Sequence, residues 1–214
     1  MQCQRGKEQS GILFLTSSNI SSLVIDNLCD EAGEAGEDIA VACFYFDSAA
    51  QKEQSATSVL GALLKQVAGS FEEIPGEITD TFRRHKKLIG GRELQLPEIV
   101  KMLGRLSSTQ PTFFCLDALD ECAVPDRAKV LLSLKNIIKI SPTTRVFLTG
   151  RPFVGGEVRK HFSEGAVLVS ISPRNGDIIG YIQTKLAEDT IFGEMDERLE
   201  GEIVKKIPET VSEM

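Results

Sequence analysis

The stretch that most constrains this chain is TFFCLDALDEC, residues 112–122. Phe113, Phe114, Cys115 and Leu116 run without a polar break into Asp117, and a second acidic pair, Asp120 and Glu121, follows. A continuous apolar run that ends abruptly in carboxylates reads as a strand buried on both faces of a parallel sheet. Its carboxylates then stand at the strand's carboxyl end, where open α/β sheets bind ligands. That is the arrangement of a Walker B element. One carboxylate holds Mg²⁺, usually through water, and another a few residues on orients an attacking water. The competing interpretation is an ordinary strand-to-helix turn in which Asp120 or Glu121 caps the next helix.

The remainder of the chain supplies the sheet that such a strand needs. Residues 11–15 and 39–46 are short apolar runs of strand composition, and so are 145–149 and 166–171. Between them the apolar residues recur at helical spacing. That periodicity predicts helices over about 20–29, 55–67, 75–89, 97–106, 125–140, 156–162, 176–186 and 199–206. Residues 30–38, DEAGEAGED, read as an acidic loop punctuated by glycine. Strands that alternate with helices demand crossover connections. The expected fold is therefore α/β, three-layered, with a mainly parallel sheet of about five strands.

Charge and composition narrow the function classes. The 214 residues carry a net charge of −7, and the densest basic run, RRHKK at 83–87, is short. An acidic chain without a basic cluster argues against a nucleic-acid surface. No apolar run approaches the ~20 residues that span a bilayer, so no membrane partner is expected. The five cysteines (Cys3, Cys29, Cys43, Cys115, Cys122) are odd in number and include no CxxC pair. That usage fits a reducing, cytoplasmic setting rather than a disulfide framework. No G-x-S-x-G is present, and His85 and His161 lack metal-ligand spacing. Both points weigh against an unrelated α/β hydrolase or metalloenzyme.

Five stretches in this order, SSLVIDNL (21–28), DIAVACFYFD (38–47), QSATSVLGALLKQV (54–67), FFCLDALDEC (113–122) and RVFLTGRP (145–152), carry a resemblance. The chain resembles the nucleotide-binding region of fungal NACHT proteins, signal-transducing P-loop ATPases of the NOD-like receptor (STAND) type with a nephrocystin-3-like N-terminal domain. The resemblance covers residues 11–207, with 1–10 set apart as a shapeless N-terminus and 208–214 as a cut tail. It implies a P-loop NTPase-like core that uses Mg²⁺ and ATP or ADP. It gives Asp117 the role of Mg²⁺ ligand and makes Asp120 and Glu121 candidates for orienting water. Thr149 and Arg151 fall at the position that reads the γ-phosphate, though Arg151 alone would pass for a surface residue in an Arg-Pro turn. Implied partners are the chain itself or related NACHT proteins, in a role of intracellular non-self recognition.

One departure is decisive. The family's phosphate loop, G-x-x-x-x-G-K-[ST], falls without a gap on Gly11–Ser18, GILFLTSS. Only Gly11 and Ser18, the hydroxyl that would ligate Mg²⁺, match. Thr16 and Ser17 stand where the second glycine and the lysine should be. Glycines let backbone N–H groups cradle phosphates, and the lysine is the counter-charge. Gly6-Lys7 is followed by Glu8 and precedes the first strand, so it does not replace them. The expectation is a NACHT-type core with impaired ATP binding and hydrolysis. The alternative is a non-enzymatic module that keeps the scaffold for oligomerising with intact relatives. A mispredicted gene start and true degeneration both account for the missing loop.

Overall fold

In the computed structural model the described residues are 12–15, 21–35, 39–87, 94–162, 166–170, 175–188 and 197–212. The chain forms two compact units, residues 1–170 and 171–214. In the first, the elements run β1 (Ile12–Leu15), α1 (Ser21–Ala35), β2 (Ala40–Tyr45), α2 (Ala56–Gly69), α3 (Gly76–Lys87) and α4 (Leu96–Thr109). They continue with β3 (Thr112–Asp117), α5 (Val124–Ile140), β4 (Arg145–Thr149), α6 (Gly155–His161) and β5 (Ala166–Val169). The second unit holds α7 (Asn175–Glu188) and α8 (Glu197–Ser212), which pack on each other.

All strand pairs are parallel, in the order β2-β3-β4-β1-β5. The fold is thus the expected α/β class with a five-stranded parallel sheet. The order has a mechanical consequence. The step from β1 to β2 runs toward one edge, and every later step runs back toward the other. Right-handed crossovers then set α1 on one face and the later helices on the opposite face. The contacts agree: α1 touches β2 and β3, while α2, α4 and α5 pack together. The direction reverses at β1, so a crevice opens at the carboxyl ends of β1 and its neighbour β4.

The core fills the α2/α4/α5 face. Phe14, Phe114, Leu116 and Leu148 of the sheet meet Leu60, Leu63, Leu103, Leu131 and Leu134, all essentially inaccessible. Each such side chain contributes ~1.5–3 kcal/mol on burial. α2 starts where Ser55 Oγ accepts from the Ser58 amide at 3.2 Å. The Asp126 carboxylate accepts from the Ala56 amide at 3.2 Å, which ties the start of α2 to the first turn of α5. Cys29, Cys43, Cys115 and Cys122 are free thiols.

Two helices run longer than the sequence predicts. α1 continues to Ala35 through most of the stretch expected as a loop. Ala32, Glu31, Glu34 and Ala35 are strong helix formers, and their preference outweighs the ~1 kcal/mol that Gly33 costs. α8 extends from Glu197 to Ser212 and carries Pro208 inside it.

A close approach sets how α4 meets α5. A Cβ on Gly104 would lie 2.8, 2.9 and 3.0 Å from Cδ1, Cγ2 and Cβ of Ile140. Gly104→Val is therefore expected to overpack this contact and to lower unfolding stability by about 2 kcal/mol, read as a lower urea midpoint with unchanged slope. An unchanged midpoint would show that the two helices separate freely there.

Candidate functional site

The apolar run 113–116 becomes the body of β3, and Asp117 is its last residue. One strand over, Thr149 ends β4 and is fully buried. Its hydroxyl donates to Asp117 Oδ1 and accepts from the Ala118 amide at 3.0 Å. One hydroxyl thus pins both the carboxylate and the first peptide of the turn that follows it. Ala118 adopts the left-handed conformation, φ 54° and ψ 46°. That geometry disfavours a side-chain-bearing residue by about 1–2 kcal/mol. It reverses the chain in one step, burying Leu119 and sending Asp120 back over the end of β4.

Asp120 is engaged by the segment after β4. Its Oδ1 accepts from the Arg151 amide at 3.2 Å, and its Oδ2 pairs with Arg151 Nε at 3.2 Å. The Asp120 side chain is 9% exposed and that of Arg151 is 74% exposed. Gly150 makes the approach possible, since a Cβ there would sit 3.3 Å from Asp120 Oδ1. The Gly150 amide also donates to the Leu15 carbonyl at 3.0 Å, joining the ends of β4 and β1. Glu121 turns the other way and accepts from the Ser48 amide at 2.9 Å, beyond the end of β2.

The candidates named from sequence therefore fall into two pairs, Asp117 with Thr149 and Asp120 with Arg151, while Glu121 stands apart. Ser18 lies outside the described residues. Ile12–Leu15 are ladder residues of β1, registered with Val146–Thr149 and Ala166–Val169. The four variable positions of the phosphate-loop pattern thus lie inside a strand. The connection between β1 and α1, TSSNI at 16–20, contains neither glycine nor lysine.

Among the described residues, no group of three or more His, Cys, Asp or Glu is placed to hold a metal ion. A lone Asp117 with a neighbouring hydroxyl suits Mg²⁺ held largely by water and phosphate oxygens, the usual mode for that cation. The Asp117 carboxylate and Thr149 hydroxyl are oxygen donors of the kind Mg²⁺ takes, and the sequence 16–20 offers neither glycine nor lysine to a phosphate.

Three residues escaped the sequence reading. Tyr45 is the register partner of Asp117 at the end of β2. Its phenol lies above the ordinary value, first through partial burial and then through Cys43, Asp117 and other acidic neighbours. Arg127 is 3% exposed and forms a bidentate pair with Glu157, Nε to Oε2 at 2.8 Å and Nη2 to Oε1 at 2.6 Å. A signal for Arg127 existed: it occupies the first place of the apolar stripe Val130, Leu131, Leu134. Burial pushes the Cys115 and Cys122 thiols up to about 12 and about 11, so neither is a ready nucleophile.

Residues 9–151 match the family described as Nephrocystin 3, N-terminal. The chain belongs to that family. The matched region runs from β1 through β4 and ends on Arg151, so it includes both residue pairs. No curated protein matches. Among solved structures, the Orc1 protein of Aeropyrum pernix in complex with DNA is similar at 17% identity and a TM-score of 0.51, over 84% of this chain and 44% of that one. The Walker-type ATPase PABY2304 of Pyrococcus abyssi is similar at 12% identity and a TM-score of 0.47, over 94% and 60%. AMPPCP-bound DnaA from Aquifex aeolicus is similar at 11% identity and a TM-score of 0.40, over 92% and 50%. The likeness to Orc1 is one of fold, and the nephrocystin-3 family member has a P-loop NTPase-like domain. The chain spans about half the length of these solved proteins. No helix among the described residues is long and apolar enough to cross a membrane.

Two outcomes follow from the geometry. Thr149→Val keeps the shape but leaves the Ala118 amide and Asp117 without their hydroxyl, at an expected cost of about 1–3 kcal/mol. Thr149→Ser is expected to retain most of the stability, and equal urea midpoints for the two variants would contradict the bridge. The second outcome concerns pH. The hydrogen bond from Arg127 holds the Glu157 carboxyl below its usual value, against burial, with further help from the Arg127, His161 and Lys160 charges. A carboxyl whose folded value lies below its unfolded value stabilises above the unfolded value, about 4.3. That contribution is lost as pH falls through the folded value. The stability gap between wild type and Glu157→Gln should be full above the unfolded value of about 4.3 and shrink as pH falls below it, measured by urea unfolding; a constant gap would contradict it.

Proposed function

We propose that this chain is the NACHT-type nucleotide-binding core of a fungal NOD-like receptor of the STAND class, spanning residues 11–207, with nucleotide binding impaired. The observation that carries the reading is the Asp117–Thr149 hydrogen bond across the carboxyl ends of β3 and β4. It lies beside the crevice where the strand order reverses. A carboxylate for Mg²⁺ and a neighbouring hydroxyl in reach of the same phosphate are the parts that a phosphoryl-transfer site requires at this place. Asp120 and Glu121 stay the candidates for orienting water, and Arg151 the candidate for the γ-phosphate.

The impairment is argued from chemistry that the β1–α1 connection lacks. A hydrogen bond to a charged group contributes ~1.5–3 kcal/mol. Losing two or three of them costs about 3–9 kcal/mol, or roughly two to six decades of affinity. A micromolar site for ATP or ADP becomes about 0.1 mM at best. Ser18 could still offer a hydroxyl, but it brings no positive charge.

The missing glycine and lysine also favour a second reading, a non-enzymatic scaffold. It would act in the cytoplasm by oligomerising with itself or with intact NACHT relatives, without membrane or nucleic acid as partner. Titration with a fluorescent ATP analogue in Mg²⁺, with Asp117→Ala alongside, separates the two. Weak binding, no tighter than about 0.1 mM and lost in the variant, is expected for the impaired core. Micromolar binding would overturn the impairment. No binding at all, with capture of an intact relative unchanged in Asp117→Ala, would favour the scaffold.

A further inference from the structure

Arg127 is costly where it stands. A guanidinium placed on the apolar stripe of α5 must be paired and hydrogen-bonded to be tolerated there, and an apolar residue of like volume would fill the same space without desolvation. Its partners show where its donors are directed. Nε and Nη2 engage the two oxygens of Glu157, in the first turn of α6. Nη1 donates to the Cys122 carbonyl at 3.1 Å and, more loosely, to the Asp120 carbonyl at 3.4 Å. Both carbonyls belong to the turn that carries the acidic pair, and one of them is Asp120's own.

The guanidinium is planar, and its fork is rigid. With Glu157 holding one edge, the other edge can meet the two carbonyls in only one orientation. The turn is therefore joined twice to the segment that follows β4. One junction is direct, from the Asp120 carboxylate to Arg151. The other runs from the turn's backbone through Arg127 to Glu157. α6 begins only four residues after Arg151, so both junctions reach the same short segment.

We infer that Arg127 and Glu157 are a positioning pair, whose task is to fix the turn 118–122 so that Asp120 presents its carboxylate at the end of β4. The inference rests on the nucleotide-site reading for its purpose and on geometry alone for its mechanism. Neither residue touches nucleotide. They set the place of a carboxylate that would.

The turn contains its own reporter. Cys122 is 1% exposed and so is Cys115 in β3, five residues away from the clamp's carbonyl at Asp120. A thiol reagent reaches Cys122 when the turn opens and reaches Cys115 only when the sheet does. The experiment is thiol labelling of the full chain, resolved by mass spectrometry, for wild type, Glu157→Gln, Glu157→Asp and Arg127→Met. Glu157→Gln is expected to raise the Cys122 rate about tenfold or more beyond any rise at Cys115, as local opening does. The Arg151 amide, which Asp120 holds, is expected to exchange faster in the same variant. Glu157→Asp keeps the charge and is expected to recover most of the protection.

Rates that rise by the same factor at Cys122 and Cys115 would reduce the pair to general stability and overturn the inference. An unchanged Cys122 rate in both Glu157→Gln and Arg127→Met would overturn it as well. Nucleotide titration of the same proteins keeps the two claims apart. Selective Cys122 opening with no nucleotide bound to wild type would sink the ATPase reading and leave the clamp. Nucleotide binding equal in wild type and Glu157→Gln, with Cys122 still closed, would do the reverse.

Discussion

The hydroxyl of Thr149 is the joint on which the site depends. It is buried between two strands and serves the Asp117 carboxylate and the Ala118 amide at once. Without it the half-buried Ala118 amide and Asp117 carboxylate would lose the partner that β4 supplies, and polar groups out of water left unpaired are costly. The left-handed turn at Ala118 is held from the same point. Everything beyond that turn depends on where it leaves the strand: the buried Leu119, Asp120 over β4, and Glu121 toward β2.

The sheet order explains why these groups meet. β4 lies between β3 and β1, so the end of β4 touches both the acidic turn and the last residue of β1. The arrangement holds a carboxylate, a hydroxyl and an arginine on one side of the crevice. The sequence that follows β1, residues 16–20, contains no glycine and no lysine. This asymmetry defines the molecule. The ends of β3 and β4 are braced by internal hydrogen bonds and ion pairs, and the sequence between β1 and α1 lacks the glycine and lysine that a phosphate loop uses.

Much of this was legible in the sequence, and what was not has physical reasons. The buried strand ending in Asp117 could be read because a short unbroken apolar run, Phe-Phe-Cys-Leu, that stops at a carboxylate suits a strand covered on both faces. The helices on the core face follow from the spacing of their apolar residues, and the Ser55 cap of α2 is seen in the structure. The end of α1 was misjudged because glycine was given more weight than the alanines and glutamates around it. Residues 117, 149 and 151 could be named, but the pairing of Asp120 with Arg151 and the turning away of Glu121 could not. Both follow from one left-handed residue, and alanine announces no such conformation. Tyr45 was hidden because its neighbour Asp117 is 72 positions away and reached only through register. Arg127 was visible as a charge on an apolar stripe, and its partner Glu157 was not, since only the crossover to α6 brings them together.

The account's central claim is that this chain keeps the carboxylate side of a nucleotide site and has lost the phosphate side. Thermal unfolding with and without ATP in excess Mg²⁺ tests it most directly. For ligand at about 0.2 mM and a dissociation constant of about 0.1 mM, stabilisation is about 0.6 kcal/mol. In a chain of this size that is a rise in Tm of roughly 1–3 °C. The account predicts a shift no larger than this. A site of about 1 μM would give about 3 kcal/mol and roughly 6–12 °C under the same conditions, and a shift of that size would contradict the account.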